Sequence, residues 1–249
     1  MKHIPNTLTL ANLLCGSVAC ILTIIKAPIN YILILLLCSL IFDFFDGFAA
    51  RLTKVSGPFG KELDSLADVV TFGVLPGLLM FIMLGGDDFY TRLNNLTSGF
   101  VYNGYIIGLF PFFGLLITLF SAIRLANFNL DEDQSYYFKG LPTPANTLFI
   151  FSLYYIHQNH SFSLLNNIWF LLFITALSCY LLVSNIPLLA LKFKNLKWKD
   201  NSLIFSFLII CLILLIFLKI SAIPILILIY ILLSIIFRKK IISDGTKTT

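Results

Sequence analysis

Hydrophobic residues are grouped along this chain into long runs that short polar segments separate. A run of about 20 apolar residues is long enough to cross a bilayer as an α-helix. The pattern predicts eight membrane helices, at about residues 8–25, 29–50, 64–84, 104–126, 142–157, 167–191, 202–219 and 221–238. The fifth is short for a complete span. The last two are so close in sequence that we expect a tight turn or a kink at Pro224 between them.

The composition leads to the same fold class. Hydrophobic residues make up 59% of the chain, charged residues only 12%, and the mean hydropathy is +0.95. Soluble domains carry about twice that fraction of charge. We expect an all-α polytopic membrane protein with a single integral membrane domain over residues 1–249, built from a core at about 4–191 and additional helices at about 202–238. The first residues lack the basic region and cleavage site of a signal peptide, so the first helix is expected to be retained.

Basic residues are distributed unequally between the two sides of the predicted bundle. One side holds Lys2, Arg51, Lys54, Lys61, Arg124, Lys139, Lys192, Lys194, Lys197, Lys199, Arg238, Lys239, Lys240 and Lys247. The other side holds Lys26, Arg92 and Lys219. The positive-inside rule therefore predicts that both termini are cytoplasmic and that the protein lies in the inner (cytoplasmic) membrane. The same charges either attract anionic lipid headgroups or only set the topology.

Two pairs of aspartates interrupt the apolar pattern. Asp43 and Asp46 close the second run, and Asp64 and Asp68 open the third. Spacings of three and four residues put each pair on one face of a helix. Four carboxylates close together repel one another and are costly to desolvate, so a cation is the natural compensation. Hard divalent ions prefer such oxygen ligands. The sequence therefore predicts a metal site at the cytoplasmic membrane surface.

The aspartates belong to a longer pattern of fixed positions. The pattern is Asp43-x2-Asp46-Gly47-x2-Ala50-Arg51-x8-Gly60-x3-Asp64-x3-Asp68. It resembles the signature of the CDP-alcohol phosphatidyltransferases. The resemblance implies a six-helix core and a divalent metal, Mg²⁺ or Mn²⁺, held by Asp43, Asp46, Asp64 and Asp68. It also implies that Asp68 is the general base of the catalysed transfer.

The small and basic residues of the pattern suit a nucleotide-linked lipid. Gly47 and Ala50 let a flat group lie against the helix backbone, and Arg51 can fork to a phosphate oxygen. Gly60 is expected to end the loop between the two helices and to permit close approach of the ligand. By the resemblance, these four residues hold the cytidine and the phosphates of a CDP-linked lipid.

Three further segments resemble bacterial membrane-embedded phosphatidylserine synthases. They are Ile4–Gly16, Asp64–Pro76, and Ile123–Asn129 together with Lys139–Ala145. This resemblance implies the substrates CDP-diacylglycerol and L-serine and the products phosphatidylserine and CMP. The candidate acceptor-binding residues are Arg124, Asn129 and Asn12. Arg124 either clamps a carboxylate or phosphate or only anchors its helix at the interface. The asparagines either bind the acceptor or make capping and interhelical hydrogen bonds.

Other functions stay open at this point. The same chemistry could use glycerol 3-phosphate or an inositol phosphate as the acceptor, although the few basic residues near Arg124 favour serine. A divalent-cation transporter could use the same acids, but the adjoining helices are largely apolar. A membrane scaffold is the third alternative. The expected partners are the two substrates and membrane lipids, with no nucleic acid. The resemblance also implies that the protein forms a homodimer.

Overall fold

The computed structural model describes residues 4–53, 57–86, 109–130, 138–159, 162–188 and 198–238, and these are almost entirely helical. In chain order the α-helices are α1 (Ile4–Ile24), α2 (Ile29–Thr53), α3 (Pro58–Val69), α4 (Leu75–Met83), α5 (Leu116–Leu130), α6 (Thr143–Asn159), α7 (Ile168–Val183), α8 (Trp198–Leu218) and α9 (Ile223–Ile236). A π-helical segment, Val70–Val74, joins α3 to α4, and 3₁₀ turns cover Phe110–Leu115, Ser163–Asn166 and Lys219–Ala222. The two-residue strands β1 (Phe138–Lys139) and β2 (Pro187–Leu188) pair antiparallel.

The helices confirm the prediction of an all-α polytopic membrane protein. Within the described residues, five helical stretches are long and apolar enough to cross a membrane: Ile4–Ile24, Ile29–Thr53, Pro58–Met83, Phe110–Leu130 and Ile204–Ile236. Helix α7 is apolar but shorter. Each of the eight predicted spans overlaps a described helix. The last two form one long stretch that contains the 3₁₀ turn before Pro224, where a turn or kink is predicted.

Several helix ends differ from the prediction. Helix α2 continues to Thr53, and α3 begins at Pro58 rather than at residue 64. Proline is favourable at the first helical position because its φ is already helical and its missing N–H would have no partner there. Gly60 therefore lies in the first turn of α3 and not in a loop. Helix α5 continues to Leu130, so Arg124 lies inside this helix and not at its end.

Some predicted features fall outside the described residues. They are positions 104–108 and 189–191 of two predicted spans, and the basic residues Lys2, Lys54, Arg92, Lys192, Lys194, Lys197, Lys239, Lys240 and Lys247.

The continuous helix α3–π–α4 is the centre of the bundle. In its apolar, membrane-spanning part, 61% of the residues are buried, compared with 33% or less in each of the other four spans. Its fully buried side chains are Ala67, Thr71, Phe72, Leu75, Leu79 and Met80. Gly16 of α1 lies so close to Thr71 that a Cβ at this position would collide with the threonine side chain. Small residues thus allow the helices that carry polar groups to approach each other closely.

The π-helical segment has a clear chemical cause and consequence. Pro76 has no N–H to donate to the carbonyl of Phe72, four residues earlier. The Phe72 carbonyl instead accepts a hydrogen bond of 3.1 Å from Thr147 Oγ1 on α6, which this hydroxyl shares with the Thr143 carbonyl of its own helix, at 2.9 Å. The next carbonyl, of Gly73, accepts one of 3.0 Å from Thr118 Oγ1 on α5. These two bonds fix α5 and α6 beside the central helix, one turn beyond the second aspartate pair.

The two strands fix the start of α6. Gly140 has a φ of 74°, and a Cβ there would lie 2.7 Å from the Leu182 carbonyl oxygen, so only glycine fits. Its backbone N–H donates to the Ile186 carbonyl at 3.0 Å. Helix α9 packs against α6 and β2. A small apolar cluster at this contact contains Leu141, Leu181, Leu188 and Ile231.

Candidate functional site

Three of the four predicted aspartates converge at one point. Asp43 lies in the C-terminal half of α2, and Asp64 and Asp68 lie one turn apart on α3. Each offers a carboxylate oxygen, and these oxygens all lie within 4.8 Å of one another. Helix α1 packs against both α2 and α3 and brings the two acidic segments together. The predicted pairing of the two motif halves is therefore present in the fold.

Asp46 is buried beside this group and has a partner of its own. Its Oδ2 accepts a hydrogen bond of 2.7 Å from Thr9 Oγ1 on α1, and both side chains are buried. Asp46 also interacts electrostatically with Asp64 and Asp68. The hydroxyl group fixes the direction of one carboxylate oxygen, which leaves the other oxygen for further interactions.

Asn12 of α1 contacts Asp68 directly. Its Nδ2 donates to Asp68 Oδ1 at 3.3 Å, and the asparagine side chain has no exposed surface. The Asn12 carbonyl oxygen accepts hydrogen bonds from Ser39 Oγ at 3.4 Å and Thr71 Oγ1 at 3.3 Å. These bonds hold α1 against α2 and against the central helix, close to Asp68, the candidate general base. The sequence left open whether Asn12 binds the acceptor or makes an interhelical hydrogen bond, and in the structure its side-chain amide donates to Asp68 on another helix.

The chemistry of these donors fits a hard divalent cation. The aspartates supply carboxylate oxygens, which are the ligands that Mg²⁺ and Mn²⁺ prefer. Asp64 Oδ1 is buried and has no hydrogen-bond partner among the described residues. A buried polar oxygen without a partner is costly, and a cation ligated there would remove that cost. The site thus has both convergent negative charge and an unused ligand atom.

The residues predicted to hold the CDP-lipid lie beside the aspartates on α2 and α3. Gly47 is exposed, and a Cβ at this position would meet nothing within 4 Å, so there is open space against the backbone. Arg51 is also exposed, and its Nε donates to the Gly47 carbonyl at 3.1 Å. This bond folds the guanidinium group back towards the glycine. Ala50 is half-buried, and a Cβ on Gly60 would lie 3.4 Å from Asn6 Oδ1.

Arg124 is buried on α5 beside the acidic group. Only 7% of its surface is exposed, and it interacts electrostatically with Asp68 and with Tyr230 of α9. Its guanidinium carbon lies 5.8 Å from the centre of the Phe128 ring. Its Nε has no hydrogen-bond partner among the described residues. A buried cation with an unused donor is suited to bind an anionic group of a ligand.

Asn129 makes a hydrogen bond between helices. Its Nδ2 donates to Ser65 Oγ at 2.7 Å, and its carbonyl oxygen accepts from the Lys61 ammonium. Both contacts connect the end of α5 to α3. An interhelical hydrogen bond is one of the alternatives that the sequence left open for Asn129. In the structure its amide nitrogen makes such a bond and holds α5 against α3.

Two residues near the site are missing from the sequence prediction. Thr9 precedes Asn12 by three residues on α1, so the shared helical face of two polar residues in an apolar run is a signal that could have identified it. Tyr230 gives no such signal because it is a single aromatic residue in an apolar helix. It is half-buried and packs against the apolar cluster at the start of α6.

The comparison with known families agrees with this geometry. The sequence profile of CDP-alcohol phosphatidyltransferase matches residues 2–190. The chain therefore belongs to the CDP-alcohol phosphatidyltransferase family, as its motif predicts. Helices α8 and α9 lie outside the matched residues.

Individual relatives are similar over part of the chain. The chain is 34% identical over 166 residues to a CDP-diacylglycerol–serine O-phosphatidyltransferase of Helicobacter pylori. The aligned residues cover 66% of this chain and 62% of that protein. It is 32% identical over 148 residues to the Bacillus subtilis enzyme of the same name, with coverages of 58% and 71%. It is 32% identical over 154 residues to an archaetidylserine synthase of Methanothermobacter thermautotrophicus, with coverages of 61% and 57%. The match thus spans less than two thirds of the Helicobacter protein.

Proposed function

We propose that this protein is an enzyme that transfers the phosphatidyl group of CDP-diacylglycerol to the hydroxyl of L-serine, with phosphatidylserine and CMP as products. The observation that carries this proposal is the convergence of Asp43, Asp64 and Asp68 within 4.8 Å in a chain of this family. The names of the Helicobacter and Bacillus relatives support serine as the acceptor.

The metal ligands in this proposal are Asp43, Asp46, Asp64 and Asp68. Three of them already converge, and Thr9 orients the fourth through its hydroxyl group. Mg²⁺ and Mn²⁺ both suit these oxygens. A bound divalent cation would neutralise charge on the diphosphate and stabilise the departing CMP.

The CDP-lipid would lie along the exposed end of α2. Gly47 leaves open space for a flat group, and the guanidinium of Arg51 is held nearby for a phosphate oxygen. Ala50 has a small side chain and Gly60 has none, so neither residue fills the same space. The acyl chains can remain in the bilayer while the polar part of the lipid reaches the aspartates.

Asp68 is the proposed general base. It would take the proton of the serine hydroxyl while the serine oxygen forms a bond to the phosphatidyl phosphorus and the bond from that phosphorus to the CMP oxygen breaks. Asn12 donates to Asp68 Oδ1 and so holds the carboxylate in place during this step. Arg124 would bind the serine carboxylate. A carboxylate is a weak base, so positioning of the reacting groups supplies much of the rate enhancement.

The active site is proposed to face the cytoplasm in the inner membrane. The support is the distribution of basic residues: Arg51 and Lys61 lie at the aspartate ends of α2 and α3, and Arg124 lies beside Asp68 within α5, whereas Lys26 and Lys219 follow the opposite ends of α1 and α8. Soluble serine and released CMP would then exchange with the cytoplasm. Labelling of single cysteines introduced at Lys26 and at Arg51 from each side of sealed vesicles would test this orientation.

The reaction is tested by measuring CMP release from CDP-diacylglycerol by the purified protein. L-serine, glycerol 3-phosphate and inositol 1-phosphate are supplied separately, each with Mg²⁺, Mn²⁺ or EDTA. We expect release that requires both serine and metal. Asp64→Asn should abolish it, whereas Glu62→Gln, an exposed acid on the same helix, should not.

This assay tests the identity of the acceptor and the transfer reaction separately. Release only with another alcohol would reject serine and retain the transfer reaction. No release with any acceptor or metal would reject the enzyme and favour cation transport.

A further inference from the structure

Several buried polar groups without partners lie on the neighbouring helices α5, α6 and α7. Among the described residues, such atoms are Ser121 Oγ and Arg124 Nε on α5, Thr143 Oγ1 and both amide atoms of Asn146 on α6, and Ser178 Oγ on α7. Asn146 has no exposed surface. Buried polar atoms are rarely left without hydrogen bonds in proteins, so this group indicates a place that a polar ligand or water completes.

The hydrogen bonds from Thr147 and Thr118 to carbonyls of the π-helical segment show how deep in the bundle these residues lie, relative to the aspartates. Thr147 bonds to the Phe72 carbonyl, and α6 packs against both the π-helical segment and α4, so it follows the central helix away from the aspartates. Thr143, one turn before Thr147, therefore lies at the level of Asp68, one turn before Phe72. Asn146 lies nearly one turn deeper than Thr143, or about 4.5 Å along the helix axis.

Helix α5 approaches the same place from the other side. Thr118 bonds to the Gly73 carbonyl, and α5 runs antiparallel to the central helix because Asn129 near its end contacts Ser65. Arg124 thus lies at the level of Asp68, with which it interacts electrostatically. Arg124, Thr143 and Asp68 therefore lie at about the same depth in the bundle.

We propose, on the basis of the proposed serine transfer, that Asn146 and Thr143 are the residues that select the ammonium group of the acceptor. The amide oxygen of Asn146 and the hydroxyl oxygen of Thr143 accept hydrogen bonds from the ammonium. Arg124 binds the carboxylate, and the hydroxyl group points to Asp68. Serine is thereby recognised at its three polar groups. The neutral amide and hydroxyl also disfavour a phosphorylated acceptor, which would require more positive charge.

The test separates acceptor binding from folding and from lipid binding. Asn146→Leu removes the amide at similar size. Thr143→Val removes the hydroxyl at similar shape, and Thr143→Ser keeps it. The matched control is Ser152→Ala on the same helix, because the Ser152 hydroxyl is buried and already bonds to the Phe149 carbonyl at 2.7 Å. KM for serine and KM for CDP-diacylglycerol are measured for each variant.

We expect Asn146→Leu to raise the KM for serine about 10- to 100-fold and Thr143→Val roughly fivefold or more, with the KM for CDP-diacylglycerol within about twofold of wild type. Thr143→Ser and Ser152→Ala should keep the wild-type KM for serine. The preference for serine over 3-hydroxypropionate, which lacks the ammonium, should fall in Asn146→Leu.

Two results would overturn this inference, and they differ in what else they reject. If wild type uses serine and both Asn146→Leu and Thr143→Val keep its KM, the assignment of these residues is wrong and the proposed function stands. If wild type releases CMP only with an acceptor other than serine, the serine reaction and this assignment fall together.

Discussion

Thr9→Val tests whether the hydroxyl on α1 organises the proposed metal site. The threonine donates its proton to Asp46 Oδ2 at 2.7 Å, and its oxygen lies 3.1 Å from the Pro5 carbonyl. Since a hydroxyl has one proton, the shorter contact to the carboxylate is the main bond. Valine has a similar shape but no donor, so the buried carboxylate would lose this partner and its fixed direction.

The expected effect follows from the kind of bond. A hydrogen bond to a charged group contributes about 1.5–3 kcal/mol. With about 1.4 kcal/mol for each factor of ten, the loss corresponds to roughly 10- to 100-fold weaker metal binding, the range found when groups that orient metal ligands are removed. We expect the Mg²⁺ or Mn²⁺ concentration for half-maximal CMP release to rise by this factor, with the maximal rate largely restored at high metal.

The measurement is a metal titration of CMP release at saturating CDP-diacylglycerol and serine. Thr23→Val is the matched control, because Thr23 is buried on the same helix and its hydroxyl bonds to the Ala19 carbonyl of that helix, at 2.8 Å. It should leave the titration unchanged. A Thr9→Val enzyme with the wild-type metal dependence would refute the role of Thr9 in holding Asp46 for the metal.

Three other substitutions probe the remaining parts of the site. Asp68→Asn should lower turnover roughly 10²- to 10⁴-fold by removing the proposed base, while binding of CDP-diacylglycerol is largely kept, since the new amide oxygen can still accept from Asn12; full activity would exclude Asp68 as the base. Arg124→Ala should raise the KM for serine about 10-fold or more, and an unchanged KM would leave this residue with a structural role only. Gly47→Leu should fold normally, because nothing lies within 4 Å of the added Cβ, and should raise the KM for CDP-diacylglycerol roughly tenfold; an unaltered KM would place the nucleotide elsewhere.

The sequence predicts the parts of this structure that depend on local patterns. Apolar runs predict the helices because each must be long enough to span the hydrocarbon layer. Spacing within one helix predicts that Asp64 and Asp68 share a face. The motif predicts that Asp43 joins them, and the fold brings their oxygens within 4.8 Å.

Contacts between distant helices could not be predicted in this way. The bond from Thr9 to Asp46 joins residues 37 positions apart, and the one from Asn129 to Ser65 joins residues 64 apart. Both depend on how the helices rotate and slide when they pack, which a single sequence does not encode in any local pattern. The early start of α3 is different, because Pro58 is a local signal for a helix start that the hydropathy pattern conceals.

The central claim is that the aspartate group transfers a phosphatidyl unit to serine. The most direct test is incorporation of radiolabelled L-serine into chloroform-extractable lipid by the purified protein, with CMP measured in the same reaction. We predict one labelled lipid for each CMP released, complete dependence on Mg²⁺ or Mn²⁺, and loss of both products in Asp43→Asn. CMP release without labelled lipid, or labelled lipid formed equally well in EDTA, would contradict the account.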